Sequence, residues 1–308
     1  MRAAVLYEVG TVPVFADFKE PEPDETHQVL EVLLAGLNPV DLFVAAGLYG
    51  EVELPRVVGL EGIARLDGGE RVYFAGPPAP FGSMAQYAPI DVDQTFAVPD
   101  GLDAGLAVAL GIAGLAAWLS LTWRAHLHKG ESVLVLGASG VVGQIAVQAA
   151  KLLGAAHVVA AARHRPTLER LRERRAADAI VVLGGDDERA LRDAAGDGGY
   201  DVVVDPVYGP PLKAALRATA DGARVVSVGA SAGQVIELAI GDVSGRTLIG
   251  HVSGQAPVDV RRQAYGDLAV HAAAGDIAVE VERLPLSEIE TAWQRQAQGP
   301  HHKLTIVP

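Results

Sequence analysis

The stretch that decides the fold is Val133-Leu134-Val135-Leu136-Gly137-Ala138-Ser139-Gly140-Val141-Val142-Gly143. Its first four residues are typical of a buried strand, and residues 141–153 are predicted to form a helix. Gly140 and Gly143 hold the second and third positions of the dinucleotide-binding fingerprint, and Ala138 stands in the first. The segment therefore predicts a dinucleotide site between a strand and a helix.

The positions of this turn have separate physical tasks. The middle glycine leaves room for the backbone to approach a pyrophosphate, and the last one lets the helix pack closely on the sheet. The N-terminus of the helix adds free N–H donors and a favourable dipole. A tight turn in an α/β core, with no ligand, is the alternative interpretation. The predicted cofactor contacts in the turn are Gly137, Ala138, Ser139, Gly140, Val141, Val142 and Gly143.

A strand–helix rhythm continues on both sides of the turn. Strands are predicted at residues 132–136, 157–161, 179–183, 202–205 and 224–228. Helices are predicted at residues 141–153, 166–174 and 211–220. Alternation of this kind indicates an α/β fold with a doubly wound, parallel Rossmann sheet.

The first hundred residues have a different pattern of apolar and turn-forming residues. Short apolar runs are separated there by turn residues and by many prolines, which predicts a small irregular β-barrel. The change comes after Val98-Pro99-Asp100-Gly101, and the tail returns to a mixed pattern with a helix near 258–274 and a last strand at 304–307.

Composition excludes several classes of protein. The 308 residues carry a formal net charge of −13, which argues against a general affinity for nucleic acid or acidic membranes. Cysteine is absent, so disulfides, thiolate nucleophiles and cysteine-ligated metals are impossible. The N-terminus becomes charged too early for a secretory signal, and a cytoplasmic location is expected. The uncharged run 104–121 is interpreted as a buried helix, with a membrane span as the alternative.

The residues after the second predicted strand indicate the cofactor. Enzymes that prefer NAD place an acidic residue there to bind the ribose hydroxyls. This chain reads Ala160-Ala161-Ala162-Arg163-His164-Arg165, with two guanidinium groups and no carboxylate. Because arginine suits a 2′-phosphate, NADPH is the predicted cofactor, bound by Arg163 and Arg165. Arginines that simply flank an exposed helix are the alternative.

Several further segments occur in a recognisable order. They are Asn38-Pro39-Val40-Asp41, Gly47-Leu48-Tyr49, Gly59-Leu60-Glu61-Gly62, residues 82–87, residues 201–207, residues 222–229 and the ending 284–304. Together they resemble the medium-chain dehydrogenase/reductase superfamily, in its zinc-independent quinone oxidoreductase branch. The resemblance implies a GroES-like β-barrel catalytic domain at residues 1–102 and 251–308, around a Rossmann domain at 103–250. It also implies cofactor contacts from Asp205, Val228 and Gly229, and a homodimer or tetramer.

The same resemblance bears on metal chemistry. Zinc-dependent members of the superfamily have a histidine before the glutamate at position 61, whereas this chain has Leu60 and no cysteine. We therefore expect no metal site. Without a Lewis acid, hydride transfer is easier onto a conjugated acceptor, which predicts reduction of quinones or α,β-unsaturated carbonyls.

Two residues are candidates for direct assistance. Tyr49 matches the tyrosine that enoyl thioester reductases of the superfamily place near substrate as a proton donor. A tyrosine that only packs in the barrel is the alternative. Asn38 is interpreted as an amide donor to the acceptor oxygen or the nicotinamide ribose, or else as the cap of a turn before Pro39. Structural roles are expected for Asp41 and Glu61.

Departures from the family leave the function open to alternatives. Ala116 stands where relatives often have threonine, and Phe43 and Ala45 replace polar residues. These changes are compatible with an enoyl thioester reductase or a specialised biosynthetic reductase. A catalytically silent, NADPH-binding redox sensor is the interpretation from another class.

Overall fold

The computed structural model describes all residues from 1 to 308. The chain divides into two compact units. We call residues 1–112 with 258–308 the terminal unit, and residues 113–257 the central unit. The domain boundaries expected from sequence, after residues 102 and 250, stay predictions.

The strands, in chain order, are β1 (Arg2–Leu6), β2 (Val14–Asp17), β3 (His27–Leu37), β4 (Arg56–Val57), β5 (Glu61–Arg65), β6 (Arg71–Ala75), β7 (Tyr87–Asp91), β8 (Phe96–Ala97), β9 (Ser132–Leu136), β10 (His157–Ala162), β11 (Ala179–Val182), β12 (Tyr200–Asp205), β13 (Thr219–Ser227), β14 (Thr247–Gly250), β15 (Val281–Pro285) and β16 (Lys303–Val307). The helices are α1 (Pro39–Ala45), α2 (Ala104–Ala109), α3 (Leu115–Leu119), α4 (Val141–Leu152), α5 (Arg165–Glu173), α6 (Asp187–Ala195), α7 (Gly209–Leu216), α8 (Ile240–Val243), α9 (Val258–Ala274) and α10 (Ile289–Gln298).

The central unit is built on one six-stranded parallel sheet. Its strand order is β11-β10-β9-β12-β13-β14, so the two halves of the sheet run outward from the β9–β12 pair. This is the 3-2-1-4-5-6 order of doubly wound dinucleotide-binding folds. The predicted Rossmann sheet is confirmed, and its first five strands lie where the apolar runs predicted them.

Burial explains why those five strands were readable. Leu134, Val159, Val203 and Val225 are fully buried in one core cluster of this unit. Burying an aliphatic side chain of this size stabilises a fold by about 1.5–3 kcal/mol. The sixth strand, β14, is a partly exposed edge and carries no such apolar run, so the sequence did not indicate it.

The terminal unit is β-rich, as predicted. Strands β2, β1 and β4 form a three-stranded sheet, and a larger sheet follows the order β15-β16-β3-β5-β6-β8, with β7 also paired to β3. Strand β16 runs antiparallel to β3, with Leu304 opposite Leu37. The last residues of the chain are therefore hydrogen-bonded to a strand from its first forty.

One helical segment, Ala104–Arg124, is long and apolar enough to cross a membrane. Of its most apolar window, 78% is buried inside the protein. Such burial is typical of a core helix and favours the interpretation made from the sequence.

Candidate cofactor turn and buried polar network

The glycine turn connects β9 to α4. Gly137 has a φ of +56°, a conformation that glycine adopts without the steric cost of a side chain. Gly140 then precedes α4, a helix of 12 residues whose N-terminus has no side-chain cap. The first N–H groups of a helix have no partner within it. This end of α4 therefore offers backbone donors to an anion.

The second and third glycines differ in the space around them. A Cβ atom on Gly143 would lie 2.4 Å from the Gly137 carbonyl oxygen and 2.6 Å from the Ala138 Cα atom. A Cβ atom on Gly140 would have the Gly137 carbonyl oxygen as its nearest neighbour, at 3.5 Å. Gly143 is thus required for helix–strand packing, whereas Gly140 keeps the outer side of the turn open.

Asp205 ends β12, the strand beside β9. It is fully buried, and its carboxylate accepts hydrogen bonds from Val207 N at 3.0 Å, Tyr208 N at 2.7 Å and Ser227 Oγ at 2.9 Å. Burial raises the pKa of Asp205, and these three donors oppose that effect. The side chain thus organises the loop after β12.

The other predicted contacts on this half of the sheet follow β13. Val228 is half-buried and donates its N–H to the Asp205 carbonyl oxygen at 2.8 Å. A Cβ atom on Gly229 would lie 2.5 Å from the Pro206 carbonyl oxygen. The loops after β12 and β13 are therefore packed against each other, and a side chain at 229 would separate them.

The two arginines lie directly after β10, in the half of the sheet beyond β9. Arg163 and Arg165 are both exposed, and Arg165 has Glu169 at 3.6 Å on the same helix. His164 lies between them and shares a hydrogen bond of 2.9 Å with Thr167 Oγ1. No carboxylate follows β10 before α5 begins.

A second group of polar side chains is buried in the terminal unit. Asn38, Glu61 and Lys303 are 4%, 0% and 1% exposed. Lys303 Nζ donates to Asn38 Oδ1 at 2.6 Å and to Glu61 Oε1 at 2.7 Å. Asn38 Nδ2 donates to Glu61 Oε1 at 2.8 Å, which closes a triangle. A buried carboxylate and ammonium are thus paired and hydrogen-bonded together.

The second carboxylate oxygen of Glu61 also accepts two hydrogen bonds. Its Oε2 atom accepts from Tyr73 Oη at 2.9 Å and from Ile112 N at 2.6 Å. A Cβ atom on Gly36 or Gly111 would lie 2.5 Å from a carboxylate oxygen of Glu61. Burial, together with the negative charge of Glu61, raises the pKa of the Tyr73 hydroxyl well above its ordinary value. We call Asn38, Glu61, Tyr73 and Lys303 the buried polar network.

Asp41 lies beside this network, at the start of α1. Its Oδ2 atom accepts from Asn38 N at 2.8 Å, whereas Oδ1 is buried without a partner. The residue lines a small, partly open cavity with Leu6, Val58 and Leu60. Burial raises the pKa of Asp41 to about 7, against the opposing effects of Asn38 and Lys303.

The two residues proposed for catalysis differ in burial. Asn38 belongs to the buried polar network, whereas Tyr49 is 68% exposed in the turn between Gly47 and Gly50. The packing alternative for Tyr49 therefore receives no support from its surroundings. Sequence reasoning missed Lys303 and Tyr73. The one available signal was a charged residue at the head of the apolar strand β16, and such residues are usually solvated.

The residues present do not fit a zinc ion. The sequence has no cysteine, and nowhere do three His, Asp or Glu side chains gather as a ligand set. Glu61, beside which the zinc ligand of related enzymes is expected, already accepts four hydrogen bonds, including one from an ammonium group. No chemical step is therefore assigned to a metal.

Comparison with known proteins places these features in a family. The family described as zinc-binding dehydrogenase matches residues 141–269. The quinone oxidoreductase of Rattus norvegicus is 30% identical over 244 residues, covering 74% of this chain and 73% of the relative. A phenolphthiocerol/phthiocerol polyketide synthase chain of Mycobacterium tuberculosis is 30% identical over 226 residues, covering 69% of this chain and 10% of the relative.

A solved structure extends the comparison over the whole chain. The quinone oxidoreductase of Thermus thermophilus, whose structures include a complex with NADPH, has a TM-score of 0.82 and 25% identity. The match covers 100% of both chains. The shared fold and the identity to the rat enzyme confirm the resemblance noted in the sequence. The chain belongs to the medium-chain dehydrogenase/reductase superfamily, in its quinone oxidoreductase branch.

Proposed function

We propose that this chain is an NADPH-dependent, zinc-independent oxidoreductase that reduces quinones or α,β-unsaturated carbonyls. The observation that carries the proposal is the exposed pair Arg163 and Arg165 after β10, together with the absence of any acidic residue between the end of β10 and the start of α5. A guanidinium matches the 2′-phosphate that distinguishes NADPH from NADH, through both charge and paired donors. The Thermus thermophilus relative, solved with NADPH, supports the same cofactor.

The central unit would hold the cofactor along the carboxyl ends of its strands. The pyrophosphate would meet the open side of the turn at Gly140 and the N–H groups that begin α4. With the 2′-phosphate at Arg163 and Arg165, the nicotinamide half falls on the side of β12 and β13. There Asp205, Val228 and Gly229 shape the loops that would face it.

The acceptor class follows from what the chain lacks. No residue set fits a zinc ion that would polarise a simple ketone. Quinones and enones delocalise the incoming charge over their own π system. NADPH, when bound, supplies the hydride. In an enone, a C–H bond would form at the β-carbon as the C–H bond of the reduced nicotinamide breaks, and the electrons of the C=C π bond would move to the carbonyl oxygen. A quinone would take up the same hydride and one proton to become a hydroquinone. A proton then completes the product, and Tyr49 is the candidate donor for enones.

An enoyl thioester acceptor is the second candidate. The polyketide synthase relative is the specific observation that favours it. An enoyl thioester is reduced by the same steps, with the thioester carbonyl receiving the electrons. The two candidates therefore differ in the acceptor and share the cofactor.

Turnover with a panel of acceptors tests the proposal. We expect NADPH absorbance to fall when 1,4-benzoquinone, 2-cyclohexenone or crotonyl-coenzyme A is added. The preferred acceptor then chooses between the two candidates. Tyr49→Phe is expected to lower turnover of the enone and to leave NADPH affinity unchanged. Tight binding of NADPH with no oxidation by any acceptor would instead support the redox sensor.

The phosphate site has its own experiment. Replacing Arg163 and Arg165 together by Ala should weaken NADPH far more than NADH. The matched control is Arg172→Ala with Arg174→Ala, which removes the same charge from exposed positions in the last turn of α5 and directly after it. Equal weakening of both cofactors by the first pair would remove these arginines from the site.

We also propose that the chain forms a homodimer through β14. This strand pairs only with β13, so its other edge has unpaired backbone groups. Leu248 in β14, Val252 after it and Ile240 in α8 are 42%, 55% and 81% exposed. Light scattering after size-exclusion chromatography should give twice the monomer mass, and Leu248→Lys should reduce it. A monomer at all concentrations would contradict this.

A further inference from the structure

The buried polar network contains two N–H groups that have no partner inside the protein: the third on Lys303 Nζ, which has two acceptors, and the second on Asn38 Nδ2. Asn38 Nδ2 carries two hydrogens, and its one partner is Glu61 Oε1. The side chain is 4% exposed, so the second N–H is held in a largely dry environment. A buried donor without a partner costs free energy, and such groups call for an explanation.

The orientation of this amide is fixed by the charges around it. An ammonium group can only donate, and an ionised carboxylate can only accept. Lys303 therefore requires the oxygen of Asn38 on its side, and Glu61 requires the nitrogen on the other. No flipped arrangement satisfies both partners, at the observed distances of 2.6 Å and 2.8 Å.

The ammonium also changes the strength of the remaining donor. When the oxygen of an amide accepts a hydrogen bond from a cation, electron density is drawn from its nitrogen. The N–H groups of that amide then become stronger donors, because linked hydrogen bonds polarise one another. Lys303 lies at the head of β16, next to β3, the strand that leads into Asn38. The pairing of these two strands thus supports the contact.

We propose that Lys303 is a positioning residue that orients and polarises the Asn38 amide, so that its second Nδ2–H binds an oxygen atom of a ligand. This inference rests on the proposed function, and the ligand oxygen has two sources. One is the carbonyl oxygen of the acceptor, which gains negative charge as hydride arrives. The other is a ribose hydroxyl of NADPH. Both present the same hydrogen-bond acceptor to Asn38.

Asn38 is the single asparagine of the chain, which makes the test direct. Protein labelled with [15N]asparagine gives one side-chain NH2 pair in a 1H–15N spectrum. A shift of one N–H signal with NADP+ alone supports the inference and assigns the oxygen to the cofactor. A shift that also needs hydroquinone supports it and assigns the oxygen to the acceptor. A signal that moves with neither overturns it.

Kinetics test the part played by Lys303. We expect Asn38→Ala to lower kcat about 100-fold and Lys303→Ala about 10-fold, with the double variant no worse than Asn38→Ala alone. Propylammonium replaces the atoms removed from Lys303 and should restore activity, whereas propan-1-ol should not. Additive losses, or equal restoration by both compounds, would show that Lys303 only fills space. Lys129→Ala, at an exposed lysine, is the matched control.

The test still gives a result if Lys303→Ala fails to fold or if the proposed function is wrong. If Lys303→Ala does not fold, Glu61→Gln with Lys303→Met removes both charges together, and the ligand-induced shift of Asn38 should be lost in that protein. Retention of the shift there overturns the role of Lys303. If none of the tested acceptors supports oxidation of NADPH by the parent protein, the proposed function fails. The Asn38 spectrum with NADP+ still decides the inference.

Discussion

The cofactor turn and the buried polar network are built from different materials. The turn uses backbone groups of seven consecutive residues, Gly137 to Gly143, and its glycines matter for the space that they leave. The network uses side chains, and two of its hydrogen-bonded members, Asn38 and Lys303, are 265 residues apart. A site made of backbone can be read from a local pattern, whereas a site made of side chains appears only when strands pair.

The largest expected effect tests the network. Glu61→Ala removes the only carboxylate on Lys303 and leaves a buried ammonium uncompensated. We expect a loss of about 3–5 kcal/mol in the free energy of unfolding, measured with urea. Glu31→Ala is the control, because Glu31 is 60% exposed and lies 3.8 Å from Arg65. A pair of that kind contributes under about 1 kcal/mol. Similar losses in both variants would mean that the network is not a centre of stability.

The next effect tests the turn. Gly143→Ala forces a methyl group against the Gly137 carbonyl and should cost on the order of 2 kcal/mol in stability. Gly140→Ala meets no close atom and should change stability by under about 0.5 kcal/mol. The added methyl group would stand where the pyrophosphate approaches, so we expect NADPH affinity to fall roughly tenfold. Calorimetric titration and thermal unfolding separate the two glycines, and equal behaviour would contradict their assigned tasks.

A pH experiment sharpens the picture of the network. The pKa of Asp41 is about 7, above its ordinary 3.8. Between these two pH values the folded chain keeps a proton on Asp41 that the unfolded chain releases. The contribution of Asp41 to stability is therefore complete below about pH 4 and is lost as pH rises through 7. The difference between the two pKa values limits the free energy of unfolding that Asp41 can account for in this pH range to about 4 kcal/mol.

Asp41→Asn should remove this dependence. At pH 8 we expect the variant to be more stable than the parent by about 1–2 kcal/mol and to unfold at a higher temperature. At pH 4 the two proteins should unfold at nearly the same temperature. Differential scanning calorimetry across this range provides the measurement. A variant that is less stable than the parent at pH 8 would show that Asp41 is ionised and paired.

The smallest expected effect lies at the phosphate site. Glu169 is 3.6 Å from Arg165, and both side chains are well exposed. Glu169→Ala should leave stability within about 0.5 kcal/mol and should tighten NADPH by about twofold to threefold, because one competing charge is removed. Glu173→Ala, an exposed position at the end of the same helix, should have less effect on affinity. Weaker NADPH binding in Glu169→Ala would argue against Arg165 as a phosphate ligand.

The same division between backbone and side chains explains what the sequence predicted. The apolar runs indicated the parallel sheet because its central strands, β9, β10 and β12, are buried on both faces. β14 was not predicted because an exposed edge strand needs no apolar pattern. Glu61 and Asn38 were identified through their motifs; a structural role was expected for Glu61, and two roles were left open for Asn38. Their partnership with Lys303 depends on β16 pairing with β3, which no local pattern encodes.

Single-turnover kinetics test whether this chain transfers a hydride from NADPH to a quinone. Protein loaded with NADPH is mixed rapidly with 1,4-benzoquinone, in excess over NADPH, and NADPH absorbance is followed over a single turnover. We expect a first-order decay that is faster than the reaction of free NADPH and slower when the transferred hydrogen is deuterium. Decay at the rate of free NADPH, from a protein that demonstrably binds it, would contradict the assignment of this chain as a hydride-transferring reductase of quinones.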